Sequence, residues 1–186
     1  SKTTVEGTNS KTVEREIYNM RKYKWLIIYV LLMAGILIAS KTLFLNAYIP
    51  SDSMNPTLKR GDLVFSLRTA TEYNRYDIAI FESPDESSVL YIKRIIGLPG
   101  DEVDIKNGIV YVNGNEIDDS YISKEKSNYT GHFSVPDDSY FMLGDNRNHS
   151  NDSRYWKSSH FVKREKIKAV AKFRIYPLYK IGSVQY

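Results

Sequence analysis

The apolar run from Trp25 to Leu45 constrains this chain more than any other feature, because only Ser40, Lys41 and Thr42 interrupt it. As a helix its 21 residues span about 31 Å, close to the roughly 30 Å hydrocarbon core of a bilayer. Such a helix has no polar face, so burial in a soluble core accounts for it poorly. Lys41 lies near one end, where its long side chain can reach the interface, and Tyr23, Trp25 and Tyr48 suit interfacial positions. A basic flank and an apolar core also describe a cleavable signal peptide. The run is long for one, however, and no small-x-small site follows it. Residues 25–45 therefore read as a single membrane anchor.

Charge gives the anchor a direction. The chain carries a net +4, and residues 1–24 alone hold six basic residues against three acidic ones. Arg21, Lys22 and Lys24 precede the run and only Lys41 lies at its far end. The positive-inside bias then makes residues 1–24 a cytoplasmic tail and places residues 46–186 outside. A basic surplus concentrated beside an apolar run points to a lipid surface and not to nucleic acid. Residues 1–14 are polar and aperiodic, and read as a mobile end. The absence of cysteine excludes a disulfide, a thiolate metal site and a cysteine nucleophile.

Beyond the anchor the pattern turns to strands. Asp62–Ser66, Tyr76–Phe81, Val89–Ile96, Ser139–Leu143 and Ile167–Ile175 are β-rich runs bounded by Gly, Pro or charged clusters. Asn107-Gly108 and Asn113-Gly114 bracket Ile109–Val112, which is a hairpin signal. Residues 115–135 are polar and least patterned, so about 107–135 reads as a hairpin or small cap inserted into the domain. The expected fold is mainly β: one N-terminal transmembrane helix, then an antiparallel β domain over residues 46–186 with a small cap.

Four stretches are dense enough in polar chemistry to hold a site. The first is Ile49-Pro50-Ser51-Asp52-Ser53-Met54-Asn55-Pro56-Thr57-Leu58, where two prolines stiffen the segment that carries two serines. The second is Arg75-Tyr76-Asp77-Ile78-Ala79-Ile80-Phe81. The third is Tyr91-Ile92-Lys93-Arg94-Ile95-Ile96-Gly97-Leu98-Pro99-Gly100-Asp101, which sets a lysine among apolar neighbours. The fourth is the polar run Gly144–Trp156. Taken singly, each reads as an ordinary Gly/Asn/Asp or Pro turn.

Together, and in this order behind an N-terminal anchor, the four stretches resemble the type I signal peptidases, membrane-anchored serine proteases with a Ser/Lys dyad. The resemblance reaches from the anchor to about residue 176. It implies a bacterial plasma-membrane endopeptidase that removes signal peptides from exported preproteins after small residues at −3 and −1, pilins or other dedicated surface proteins among them. It implies Ser53 as nucleophile and Lys93 as general base, with Ser51 and the Ser53 backbone N–H as oxyanion hole. Ser150 would orient the Lys93 amine, and Asp152, Arg154 and Arg94 would form a supporting ion-pair cluster. Ile49, Pro50, Met54, Leu58, Tyr91 and Ile92 fall where the family lines its pockets. Neither a metal nor a cofactor is implied. The physics agrees: a lysine can accept the serine proton only if neutral, and apolar surroundings lower its pKa.

Three departures stand out. Asp52 occupies a position where many members have glycine, and a carboxylate pointing inward there would repel an oxyanion. Tyr76 replaces the glycine of Arg-Gly-Asp, and Asn148-His149 replaces Asp-Asn before Ser150. If Ser150 faces the dyad, strand-like alternation turns His149 away from it. The rival within the fold is a non-proteolytic pilus-assembly chaperone, which lacks the dyad that both Ser53 and Lys93 supply here. A self-cleaving repressor fits less well, since no helix-turn-helix pattern precedes the site. A secretory-pathway lumen is disfavoured by two glycosylation sequons, at Asn148 and Asn151, inside the proposed site.

Overall fold

The computed structural model describes residues 4–68, 72–122 and 127–184. Residues 1–3 of the expected tail and 123–126 of the expected cap lie outside the described residues. Two units are distinct, residues 1–42 and 43–186.

The first unit is one helix, α1, from Thr4 to Leu43. The helix therefore begins well before Trp25 and takes in most of the segment expected to be a mobile tail. It also stops short of the expected Leu45. Its apolar side chains from Trp25 to Ile38 are exposed, and the segment Val13–Leu43 has the length and hydropathy to cross a bilayer. The two hydroxyls near its end return to helix carbonyls, Ser40 to Leu37 and Thr42 to Ile38 and Ala39. No polar group of those side chains is thus left for lipid to satisfy.

In the second unit the strands run, in chain order, β1 Phe44–Tyr48, β2 Leu63–Leu67, β3 Ile78–Glu82, β4 Leu90–Gly97, β5 Glu102–Lys106 and β6 Ile109–Val112. They continue with β7 Asn115–Glu116, β8 Gly131–Ser134, β9 Ser139–Leu143, β10 Val162–Lys163, β11 Ile167–Tyr176 and β12 Gly182–Ser183. Every pairing is antiparallel. The larger sheet has the order β1-β2-β11-β3-β4-β9-β10, with β12 added to β11. Phe44 and Leu45, read from sequence as the end of the anchor, instead pair with Leu67 and Ser66. Backbone pairing captured them because strand and helix alike accept an apolar residue at that point.

The smaller sheet has the order β7-β6-β5-β8. It extends beyond the expected insertion, since β5 starts at Glu102. Its turns are the ones the sequence announces: Asn107-Gly108 and Asn113-Gly114 both place two successive residues at positive φ, as a two-residue hairpin requires. Outward Glu102, Asp104 and Lys106 alternate with Val103 and Ile105, which are buried with Phe133, Val135 and Phe141. At Gly97 any Cβ would come within 2.9 Å of Val103, Val135 and Phe141, so only glycine lets the end of β4 pass against this core.

Candidate active site

The segment 49–58 is held in place from its ends. Ile49 N donates to Asp62 O and Gly61 N to Ile49 O, each at 2.9 Å, while Leu58 N donates back to Met54 O at 2.8 Å. Ile49, Met54 and Leu58 are fully buried in the core beneath it, beside Val64, Ile78 and Ile80. Apolar anchors thus sink into the core on either side of Ser53, and the serine stands on a fixed turn. Its own carbonyl accepts Asn146 N at 3.0 Å, which ties the segment to the polar loop after β9.

β4 delivers the lysine. Lys93 pairs across to Ala79 of β3 and is 5% exposed. Its Nζ donates to Ser53 Oγ at 2.7 Å and to Ile92 O at 3.0 Å, and lies 5.6 Å from the Tyr91 ring centroid. Burial pushes its pKa down to about 8, against the opposing fields of Asp152 and Asp145. Near neutrality an appreciable fraction of a group with such a pKa is unprotonated. Ser51 Oγ stands 3.3 Å from Ser53 Oγ, so the two hydroxyls and the amine share one spot.

Two cavities open beside this trio. One of about 340 Å³ is lined by Ser51, Ser53 and Lys93, and the other, of about 210 Å³, by Ile49, Ala47 and Ile80. Pro50, Leu90, Tyr91 and Ile92 belong to both walls, so the two form neighbouring parts of one largely apolar groove. Met54 and Leu58, expected in the pockets, line neither. Their side chains are 0% exposed and serve as floor beneath the segment that carries Ser53.

The supporting residues divide differently from expectation. Arg94 does not join Asp152 and Arg154. It forms its own two-point pair with Asp145, Nε to Oδ1 at 2.9 Å and Nη2 to Oδ2 at 2.6 Å, and its Nη1 donates to Tyr76 O. Asp145 sits in the quoted motif, yet only the three-dimensional arrangement reveals it as the partner. Arg154 separately clamps Asp152 through Nε and Nη2, both at 2.8 Å. Asp152 also accepts Gly144 N at 3.0 Å. All four side chains are buried.

Ser150 is brought to the site but makes no hydrogen bond to Lys93. Its Oγ is buried without a hydrogen-bond partner. It packs so closely on Gly144 that a Cβ there would collide with Ser150 Oγ and stand 2.6 Å from Ser53 O. Glycine is the residue that lets these two serine-bearing segments meet. His149 is not turned away as alternation suggested. It is exposed and lines the larger cavity with Ser53, Lys93 and Asn151. The alternation itself holds, with Ser150 inside and His149 outside, but the outside at this point is the wall of the groove.

The other departures are accommodated. Asp52 faces Arg60, accepting its backbone N–H at 3.3 Å with Nε 3.6 Å away, and is half exposed. Tyr76 keeps the turn by adopting φ 75°, the region that glycine enters most easily. Its N–H donates to Ile95 O and its ring packs against the smaller sheet's core. Among the described residues no group of three His, Asp or Glu side chains is arranged to hold a metal.

Comparison with known proteins identifies the family of the chain. The family described as "Signal peptidase, peptidase S26" matches residues 20–176. The chain is 43% identical over 143 residues to "Probable signal peptidase I-2" of Synechocystis sp., covering 73% of this chain and 64%, just under two thirds, of that relative. It is 31% identical to "Signal peptidase I" of Bacillus licheniformis, over 86% of this chain and 91% of that one. A crystal structure of a signal peptidase I from Enterococcus faecalis shares 34% identity, covering 55% of this chain and 98% of that chain, with a TM-score of 0.45. The chain belongs to the signal peptidase family, peptidase S26.

Proposed function

We propose that this chain is a membrane-anchored serine endopeptidase that removes N-terminal signal peptides from exported preproteins, with Ser53 as nucleophile and Lys93 as general base. The observation that carries the reading is the 2.7 Å contact between Lys93 Nζ and Ser53 Oγ inside a buried, largely apolar site. Neutral Lys93 takes the Ser53 proton as Oγ attacks the scissile carbonyl. Negative charge then develops on the carbonyl oxygen, which accepts hydrogen bonds from the Ser51 hydroxyl and the Ser53 backbone N–H. Lys93 returns the proton to the leaving amine, and the signal peptide remains as an ester on Ser53. A water, deprotonated by the same amine, releases it.

The groove suits an extended peptide with small side chains at −3 and −1, since Pro50, Leu90, Tyr91 and Ile92 join its two cavities. The α1 span supplies the anchor in the plasma membrane, and the basic residues before Trp25 orient the N-terminus to the cytoplasm and the β unit outside. A tethered protease meets lipid-borne preproteins at high local concentration. The test is Ser53→Ala in the full chain, assayed on a preprotein with small residues at −3 and −1. Cleavage is expected to vanish while the unfolding temperature holds, and retention of more than a few per cent of activity overturns the nucleophile.

A further inference from the structure

The stretch after β7 looked featureless in sequence, yet it sends two side chains into the buried charges behind the proposed dyad. Asp119 receives both terminal nitrogens of Arg147, Nη1 at 2.9 Å and Nη2 at 2.7 Å. The Tyr121 hydroxyl donates to the same carboxylate at 3.1 Å. Arg147 is itself 3% exposed, and its Nε donates to Gly144 O at 3.2 Å. Its carbonyl accepts Arg154 Nη2 at 2.7 Å. The Tyr121 ring lies under the Arg94 guanidinium, 4.2 Å from Cζ to centroid. One short segment therefore touches the arginine systems on which Gly144, Asp145 and Asp152 are hung.

We infer that Asp119, braced by Tyr121, is a positioning residue for cleavage: through Arg147 it fixes the Gly144–Ser150 loop against Ser53. The chain of contacts is continuous. Asp119 holds Arg147, Arg147 holds the Gly144 carbonyl, and Gly144 is the point where Ser150 and the Ser53 carbonyl meet. Asn146 N, two residues along, closes the link by donating to Ser53 O at 3.0 Å. A buried guanidinium deprived of its carboxylate is an uncompensated charge that the site must relieve by moving, and the neighbouring carboxylates already hold Arg94 and Arg154. Loss of Asp119 therefore pulls the loop out of register instead of leaving a passive gap. An error of about 1 Å at a reacting pair costs on the order of 100-fold in rate.

This inference rests on the proposed Ser53/Lys93 chemistry, and the experiment separates the two. Full-length enzyme in vesicles is assayed on a preprotein for kcat and KM, well below each variant's unfolding temperature. The variants are Asp119→Asn, Asp119→Glu, Arg147→Met and the double Asp119→Asn/Arg147→Met, with Ser53→Ala as control. Asp119→Asn is expected to lower kcat by roughly 10- to 100-fold with KM within about threefold, because the groove walls are untouched. Asp119→Glu is expected to recover most of the loss. The double variant, which leaves no orphaned charge and so remains measurable if Asp119→Asn does not fold, is expected to be no slower than Arg147→Met alone. A folded Asp119→Asn with wild-type kcat overturns the inference. So does a double variant whose losses multiply, or a loss carried in KM. An active Ser53→Ala would instead overturn the dyad itself, and with it the claim that Asp119 acts by holding the loop against a reacting Ser53.

Discussion

Lys93 and Arg94 are consecutive residues of β4, and both are almost wholly buried, yet their surroundings treat charge in opposite ways. Around Arg94 the protein supplies a carboxylate at two points, a carbonyl and an aromatic face. Around Lys93 it supplies a hydroxyl and a carbonyl, with the carboxylates of Asp145 and Asp152 acting only as distant fields. The guanidinium is thereby fixed as a permanent cation that organises a loop. The amine is left where desolvation wins, and its pKa falls to about 8. A buried cation with a matched partner is a strut, and one denied a partner becomes titratable.

The sharpest way to break the comparison is to make the lysine permanently charged. Lys93→Arg retains the charge but cannot lose its proton. It is expected to be as inactive as Ser53→Ala, a loss of at least about 10³-fold measured by preprotein cleavage. A working Lys93→Arg would mean that the site needs only a cation. The converse change is made at the strut. Arg94→Met strands Asp145 and is expected to cost about 3–5 kcal/mol in urea unfolding. A cost below about 1 kcal/mol would show that the pair is dispensable.

Removing the lysine's charge is expected to act in the other direction. Between pH of about 8 and 10.5 the unfolded chain holds a proton on Lys93 that the folded chain does not. Wild-type stability therefore rises with pH through that window and is lower on its acid side. Lys93→Met abolishes this slope and is expected to gain up to about 3 kcal/mol at pH 7 relative to wild type, less whatever its two hydrogen bonds contribute. Equal pH dependence in the two proteins would contradict the depressed pKa.

The smallest effect is expected at His149. It lines the groove, so the alternation argument no longer removes it from the site, but Lys93 is the group in contact with Ser53 Oγ. His149→Ala is expected to keep kcat/KM within about tenfold, a transition-state loss below roughly 1.4 kcal/mol. An inactive, folded His149→Ala beside an active Lys93→Ala would replace the dyad with a histidine-based triad.

Much of this was legible because the informative residues are local. β-rich runs bounded by Gly, Pro or charged clusters announce β2, β3, β4, β9 and β11, and the Asn-Gly turns announce the β5–β6–β7 meander. What escaped was set by tertiary pairing. Phe44 and Leu45 are apolar in either state, so only their partners in β2 make them strand. β5 was readable in principle, since Glu102 to Lys106 alternates strictly, but its charged face disguises it beside the hydrophobic runs. At the site, the resemblance carried by the four motifs implied that Lys93 and Ser53 belong together. They did not say that Arg94 would choose Asp145 over Asp152, or that Met54 and Leu58 would sink into the core. Asp119 lay in a stretch with no pattern, because a single carboxylate meeting an arginine across the fold leaves no local trace.

The account turns on Lys93 being a neutral base, and its titration tests that directly. With ¹³C-labelled lysine side chains in the full chain, the Lys93 Cε resonance is identified by its absence from Lys93→Met and followed from pH 5 to 11. A midpoint near 8 is the result predicted. A midpoint at the ordinary lysine value, about 10.4, would leave the amine protonated when Ser53 must lose its proton, and would contradict the mechanism.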